Sequence, residues 1–191
     1  MIKKFLLVCL CNVFILSAFA QQKYKIDVDN SKIIIKGTST FHDWEASSRD
    51  IKGTIEAVID KKYIKNISIA DVSIEVLSLK SKLSGFSKRL HKELEYKKHP
   101  DVSFKFKKLV LLTKDSIEME GDLNIKGVVK KQKLSGKFFF KEETGDVFLF
   151  LGSKKLKMTD FNIKPPTFLF GMFETGNDVN VSFDIHLINK K

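Results

Sequence analysis

Period-2 alternation of large apolar and polar residues runs through most of this chain. Val102, Phe104 and Phe106 alternate with Ser103, Lys105 and Lys107. Ile117, Met119, Gly121, Leu123 and Ile125 alternate with Glu118, Glu120, Asp122, Asn124 and Lys126. Val179, Val181, Phe183, Ile185 and Leu187 alternate with Asn180, Ser182, Asp184 and His186. Successive side chains of a strand point to opposite faces, so each segment has one dry face and one wet face. A chain built almost wholly of such strands must close a barrel or stack two sheets. A barrel lined with Phe, Ile and Leu can hold an apolar ligand.

The first 20 residues are set apart from this pattern. Lys3 and Lys4 form a positive start, residues 5–16 are apolar, and Ala18-Phe19-Ala20 precedes polar Gln21 and Gln22. This is the pattern of a secretory signal peptide cleaved near Ala20. The apolar run is shorter than the ~18 residues of a spanning helix, which disfavours a retained anchor. Cleavage would remove both cysteines, Cys9 and Cys11, so residues 21–191 are expected to hold together by their core without disulfides. Their length suits one domain rather than two. Lys3 and Lys4 account for only two of the +11 formal charges. The remaining positive charge is lysine scattered over strands and turns, which suits a solvated exterior near anionic headgroups or cell-wall polymers. Arg49 and Arg89 are the only arginines and there is no basic helix, so nucleic acid is not an expected partner.

Residues 32–37 read as a strand, and residues 37–48 pass through His42-Asp43-Trp44 into a second strand or a tight corner. Residues 51–59 alternate as a third strand, Asp60-Lys61-Lys62 is a turn, and residues 66–79 form a long fourth strand. The period then changes. Residues 84–98 place Phe86, Leu90 and Leu94 at helical spacing, with Ser84 as N-cap and Pro100 beyond the end. Strands resume around Val102, Ile117, Lys133, Val147, residues 152–158 and Val179. The expected fold is all-β: one antiparallel barrel of about eight strands with one helical insertion at about 84–98.

Catalytic motifs are missing: no P-loop, no GxGxxG, no GxSxG and no HExxH. His42 and Asp43 could pair as a base and its orienter, but neighbours on a strand point to opposite faces. His91 falls opposite the apolar positions of the helix and is expected in solvent. His99 reads as structural at the helix exit, and His186 as surface. No two histidines share a metal-ligand spacing, so neither a metal nor another cofactor is expected.

The aromatics say more. Phe138 and Phe140 share one face and Phe148 and Phe150 another, while Phe161, Phe168, Phe170 and Phe173 crowd a loop-rich region around Pro165-Pro166. Any single phenylalanine is most simply core. A barrel of this size is either filled by side chains or holds one ligand. On the second reading the ligand-binding residues are Trp44, Phe104, Phe106, Phe138, Phe140, Phe148, Phe150, Phe161, Phe168, Phe170 and Phe183.

Four segments in fixed order carry a family resemblance: GTSTFHDW at 37–44, YKKHPDVSF at 96–104, GDLNIKGV at 121–128 and LKMTDFNIKPPT at 156–167. Together they resemble the YceI-like family across residues 21–191, and His42, Asp43, Trp44, Asp160, Phe161, Pro165 and Pro166 fall on its motif positions. The resemblance implies a lipocalin-like antiparallel barrel exported to the bacterial periplasm. It also implies that a polyisoprenoid or similar amphiphilic lipid is bound inside. The family is not defined by catalytic residues, so no catalytic role is carried over. The expected function is therefore a non-enzymatic lipid binder, possible uses being storage or transport. A barrel hydrolase or isomerase using His42 and Asp43 is the alternative, and an outer-membrane barrel ranks third.

Overall fold

The structure is a computed structural model that describes residues 21–168 and 173–190; the signal-peptide reading, Cys9, Cys11 and Phe170 lie outside them. Eleven strands are seen: β1 (Gln22–Ile26), β2 (Lys32–Ser39), β3 (Trp44–Ser48), β4 (Ile51–Asp60), β5 (Tyr63–Glu75), β6 (Asp101–Leu112), β7 (Ser116–Ile125), β8 (Val128–Phe140), β9 (Val147–Lys157), β10 (Thr167–Phe168) and β11 (Phe173–Asn189). One helix, α1 (Phe86–Glu93), interrupts them between β5 and β6.

The sheet runs in the order β1-β4-β5-β6-β7-β8-β9-β11, and β11 pairs with β1 again, closing an antiparallel barrel of eight strands. The last strand is long enough to serve two partners in line. Its C-terminal end pairs with β1 (Leu187 opposite Ile26, Asn189 opposite Tyr24), and its middle and start pair with β2. β3 extends β2 and crosses to the chain after β5 through the Ser47–Lys80 bridge. One end of the barrel is closed by the rings of Tyr24, Phe140 and Phe148, and the other is covered by the segment from Val76 through α1.

The alternation maps onto the wall as expected, with bulges that shift its parity in β5 and in β6. Phe104 and Phe106 lie on the same parity, yet further along β6 the core is met by Leu109 and then Leu112. Register shifts between Phe106 and Lys108, and again between Leu109 and Leu111, change the parity twice. Each bulge adds an unpaired residue and bends the strand, which a closing barrel needs. The tight β7–β8 hairpin uses Lys126 (φ 54°) and Gly127 (φ 75°), both in the left-handed region that a two-residue turn of this hand demands.

The outer face is wet. Lys107 meets Asp122 at 3.2 Å, Lys108 meets Glu120 at 3.5 Å and Lys133 meets Glu118 at 3.2 Å across neighbouring strands. Hydrogen bonds from Lys133 and then Ser135 hold the Glu118 carboxyl below the usual carboxylate range. Exposed pairs of this kind contribute little stability, but they keep the face solvated. A lipid-facing band would have to bury these lysines, so the outer-membrane reading does not fit.

Several boundaries differ from the sequence reading. The helix covers Phe86–Glu93 rather than 84–98, and its N-cap is Gly85 (φ 71°), not Ser84. Glu95 takes φ 51°, which ends the helical run, and residues 94–98 continue as turns. The long strand expected over 66–79 begins at Tyr63 and stops at Glu75, with Val76–Ser78 in a 3-10 turn. The segments around Val147 and 152–158 are a single strand, β9. His91 is buried rather than solvated, because the cap folds its ring onto the chain before the helix, where Nε2 meets the Leu79 carbonyl at 2.8 Å. His186 is also largely covered, held between Asp184 (3.1 Å) and Lys141 (3.0 Å).

Candidate ligand-binding cavity

A cavity of about 250 Å³ runs along the inside of the barrel. One wall is aliphatic: Ile55 of β4 and Ile67, Val72 and Ile74 of β5, with Ile33 and Ile35 of β2 beside them. Other parts of the wall are aromatic and thioether: Phe104, Met119, Phe138, Phe148, Phe150 and Phe183. These residues meet because they occupy the inward parity of consecutive strands. An apolar void of even about 150 Å³ stays dry and takes up apolar molecules, so this largely apolar one favours a hydrocarbon over water.

Glycines shape the wall at several points, Gly121 beneath Phe104 among them. Phe183 lies over Gly152, and Phe150 over Gly136, so a side chain at either glycine would collide with a ring. Phe150 and Phe183 then stack, with centroids 5.3 Å apart and planes 23° apart.

The sealed end is aromatic. Phe140 sits against Phe138 (5.8 Å) and Phe148 (5.4 Å), and Tyr24 meets Phe148 edge-on at 5.1 Å. The Tyr24 hydroxyl donates to the Gly145 carbonyl at 3.0 Å. Burial, reinforced by the charge of Asp146, pushes its pKa up to about 12. This cluster is the floor of the cavity.

At the other end, Trp44 lines the mouth together with Leu79, Phe86, Leu90 and Leu94. Its ring packs on Phe86 at 4.9 Å, and Nε1–H donates to the Thr38 carbonyl at 3.2 Å. Thr175 is buried at the same rim, its hydroxyl donating to the Pro166 carbonyl at 3.0 Å.

Of the eleven residues picked from sequence, Trp44, Phe104, Phe138, Phe148, Phe150 and Phe183 line the cavity. Three do not. Phe106 packs within the wall, Phe140 is in the floor, and Phe161 is fully buried in a second core of Val76, Leu79, Leu94, Met158 and Ile163. That core lies at the mouth end, where Leu79, Leu94, Met158 and Ile163 line the cavity and Phe161 packs against them. Phe168 belongs to β10, its side chain and all of Phe170 being outside the described residues.

Aromatic content alone hid the isoleucine wall, although alternation had marked Ile55, Val72 and Ile74 as facing one way. It also hid Lys154, which sits on the inward parity of β9 between Phe150 and Leu156 and lines the cavity with Arg89 and Glu93. Counting parity along β9 would have found it.

His42 and Asp43 are exposed on the β2–β3 corner, where His42 edges a shallow groove shared with Phe41, Leu83 and Ser84. Among the described residues no cluster of His, Cys, Asp and Glu is arranged to hold a metal.

Comparisons with known proteins agree with this architecture. BcnA from Burkholderia cenocepacia superposes with a TM-score of 0.71 at 15% identity, over 84% of this chain and 98% of that one. The YCEI protein of Campylobacter jejuni gives 0.62 at 23% identity, covering 76% and 84%. A polyisoprenoid binding domain from Saccharophagus degradans, implicated in plant cell wall breakdown, gives 0.61 at 11% identity, covering 87% and 98%. At these identities the likeness is one of fold. No match was found among functionally curated proteins. The sequence model of the YceI-like domain matches residues 24–187, from the first strand β1 into the last strand β11, and the chain belongs to the YceI-like family.

Proposed function

We propose that this protein is an exported, non-enzymatic carrier that holds a polyisoprenoid or another long apolar lipid inside its barrel. The observation that supports this most directly is the cavity itself: closed by aromatics below, capped by a helix above, and walled by isoleucine and phenylalanine. Burial of hydrocarbon contributes roughly 25 cal/mol per Å², so a chain of methyl and methylene groups drawn into such a space is held without any specific polar contact. Membership of the YceI-like family and the fold shared with a polyisoprenoid binding domain favour the same class of cargo. The signal-peptide pattern of residues 1–20 argues for cleavage near Ala20 and a periplasmic location.

His42 and Asp43, the pair that an enzyme would use, lie outside this cavity on an exposed corner, which favours binding over catalysis. Extraction of the native protein with organic solvent and mass spectrometry of the extract tests the proposal. A stoichiometric apolar lipid is the expected result. An extract free of lipid, from protein isolated without detergent, would overturn it. His42→Ala should leave the lipid content unchanged.

A further inference from the structure

We propose that the outer side of the cap over the cavity mouth is a docking surface for an anionic lipid bilayer. The cap comprises residues 79–98, and it has two sides of opposite character. Inward, Leu79, Phe86, Leu90 and Leu94 close the cavity. Outward, Lys80, Lys82, Lys88, Lys92, Lys97 and Lys98 are all exposed.

Among the described residues, some lysines of the barrel wall are ion-paired and others, Lys25, Lys52 and Lys105 for example, are not, whereas the cap gathers six exposed lysines in one place. On the wall, Lys107, Lys108 and Lys133 each meet a carboxylate on the neighbouring strand. None of the six cap lysines makes an ion pair among the described residues. The two acids of the cap offset them little, Lys98 alone of the six acting on Glu95. Glu93 is half-buried against the cavity, and Glu95 is held by Lys126 at 3.0 Å. The result is a patch of largely uncompensated positive charge lying directly over the mouth. Beside it stands Phe41, 67% exposed, on the corner that shares a groove with Leu83, Ser84 and Phe86 of the cap.

Clustered lysines are drawn to the negative surface potential of anionic lipids, each at about 1 kcal/mol within a Debye length. An exposed aromatic at the edge of such a patch suits the headgroup boundary, where an apolar ring can be buried. A soluble polyanion would match the lysines but would have no use for Phe41 or for an apolar cavity opening beneath. A bilayer matches all three, because docking in this pose brings the mouth to the source or destination of the cargo. The purpose of the surface rests on the lipid-carrier reading, whereas its chemistry stands on charge and exposure alone.

The test is sedimentation with vesicles of phosphatidylglycerol mixed with phosphatidylcholine, and with vesicles of phosphatidylcholine alone. Two variants carry the same change in net charge. One has Lys88→Glu, Lys92→Glu, Lys97→Glu and Lys98→Glu on the cap; the other has Lys25→Glu, Lys61→Glu, Lys114→Glu and Lys137→Glu around the sealed end. The unmodified protein is expected to bind the anionic vesicles only, and the cap variant to bind them more than about a hundredfold more weakly. The sealed-end variant should retain most of its binding, and Phe41→Ala should weaken it further without changing affinity for soluble polyglutamate. Circular dichroism confirms folding, and the four Lys→Gln changes on the cap replace any variant that misfolds. Equal loss in both charge variants, equal binding to neutral vesicles, or no binding at all would overturn the proposal. So would binding to polyglutamate as tight as to vesicles with no effect of Phe41→Ala. Lipid extracted from the same preparations separates the two readings. Docking without cargo would sink the carrier reading alone, and cargo without docking would sink this one alone.

Discussion

Gly37 of β2 and Trp44 of β3 are register partners, and the Trp44 indole occupies the space that a side chain at position 37 would fill. The tryptophan can therefore lie flat across its own hairpin and reach Phe86 on the cap. One missing Cβ thus joins the corner, the cavity mouth and the helix above it. Gly37→Val should push the indole off this seat. Overpacking at a well-filled site costs about 1–3 kcal/mol, so the urea midpoint should fall while the slope stays unchanged. Trp44→Ala removes a side chain that is only 5% exposed and should cost about 3–5 kcal/mol. A loss below 1 kcal/mol on the order of a surface substitution would show that the corner does not support the fold.

A charge placed in the cavity should do what no loss of a single ring can do. Phe183 faces the cavity from β11, whereas Phe139 stands on the outer face of β8. Phe183→Glu puts a carboxylate where a hydrocarbon chain would lie, and such a group is costly to bury. Lipid recovered per folded molecule should fall to background in Phe183→Glu and stay unchanged in Phe139→Glu. Equal lipid in both would place the cargo outside the barrel.

The floor of the cavity should report on alkaline unfolding. Tyr24 has its pKa raised from 10.0 to about 12, first by burial and then by Asp146. The folded protein keeps this proton at a pH where the unfolded chain has released it. The unfolded state then binds fewer protons, so stability falls as pH rises from about 10 to 12. The phenolate absorbance titration should show a component near pH 12 that disappears in Tyr24→Phe. The same variant should lose stability less steeply over that range.

His91 ties the cap to the chain that precedes it. Its ring nitrogen meets the Leu79 carbonyl at 2.8 Å in a buried setting, and the ring lies edge-on to Tyr96. His91→Leu fills the space but leaves that carbonyl without its partner, at a cost of about 1–3 kcal/mol. Hydrogen exchange is the sharper readout: amides of α1 should lose protection while those of β7 and β8 do not. Uniform loss across the barrel would mean that the cap is part of one cooperative unit with the wall.

Period-2 alternation determined the all-β fold, the barrel and most of the inward positions, because a pleated strand leaves a side chain no choice but to alternate. Ile55, Val72, Ile74, Phe104, Met119, Phe138 and Phe183 could be placed inside from the sequence alone, and the four ordered segments pointed to the family. Tertiary packing decided the rest. Two bulges in β6 changed which residues faced in, and a bulge is set by how far a strand must bend to close a ring of eight. Phe106, Phe140 and Phe161 share the chemistry of the cavity phenylalanines, but position along the barrel axis assigned them to wall, floor and second core. The helix was legible by its spacing yet shorter than its pattern, because Gly85 and Glu95 take left-handed conformations where the chain turns onto and off the mouth. The gathering over the mouth of six exposed lysines, none ion-paired among the described residues, has no trace in composition. It arises because the turns and helix of residues 79–98 fold together over one end of the barrel.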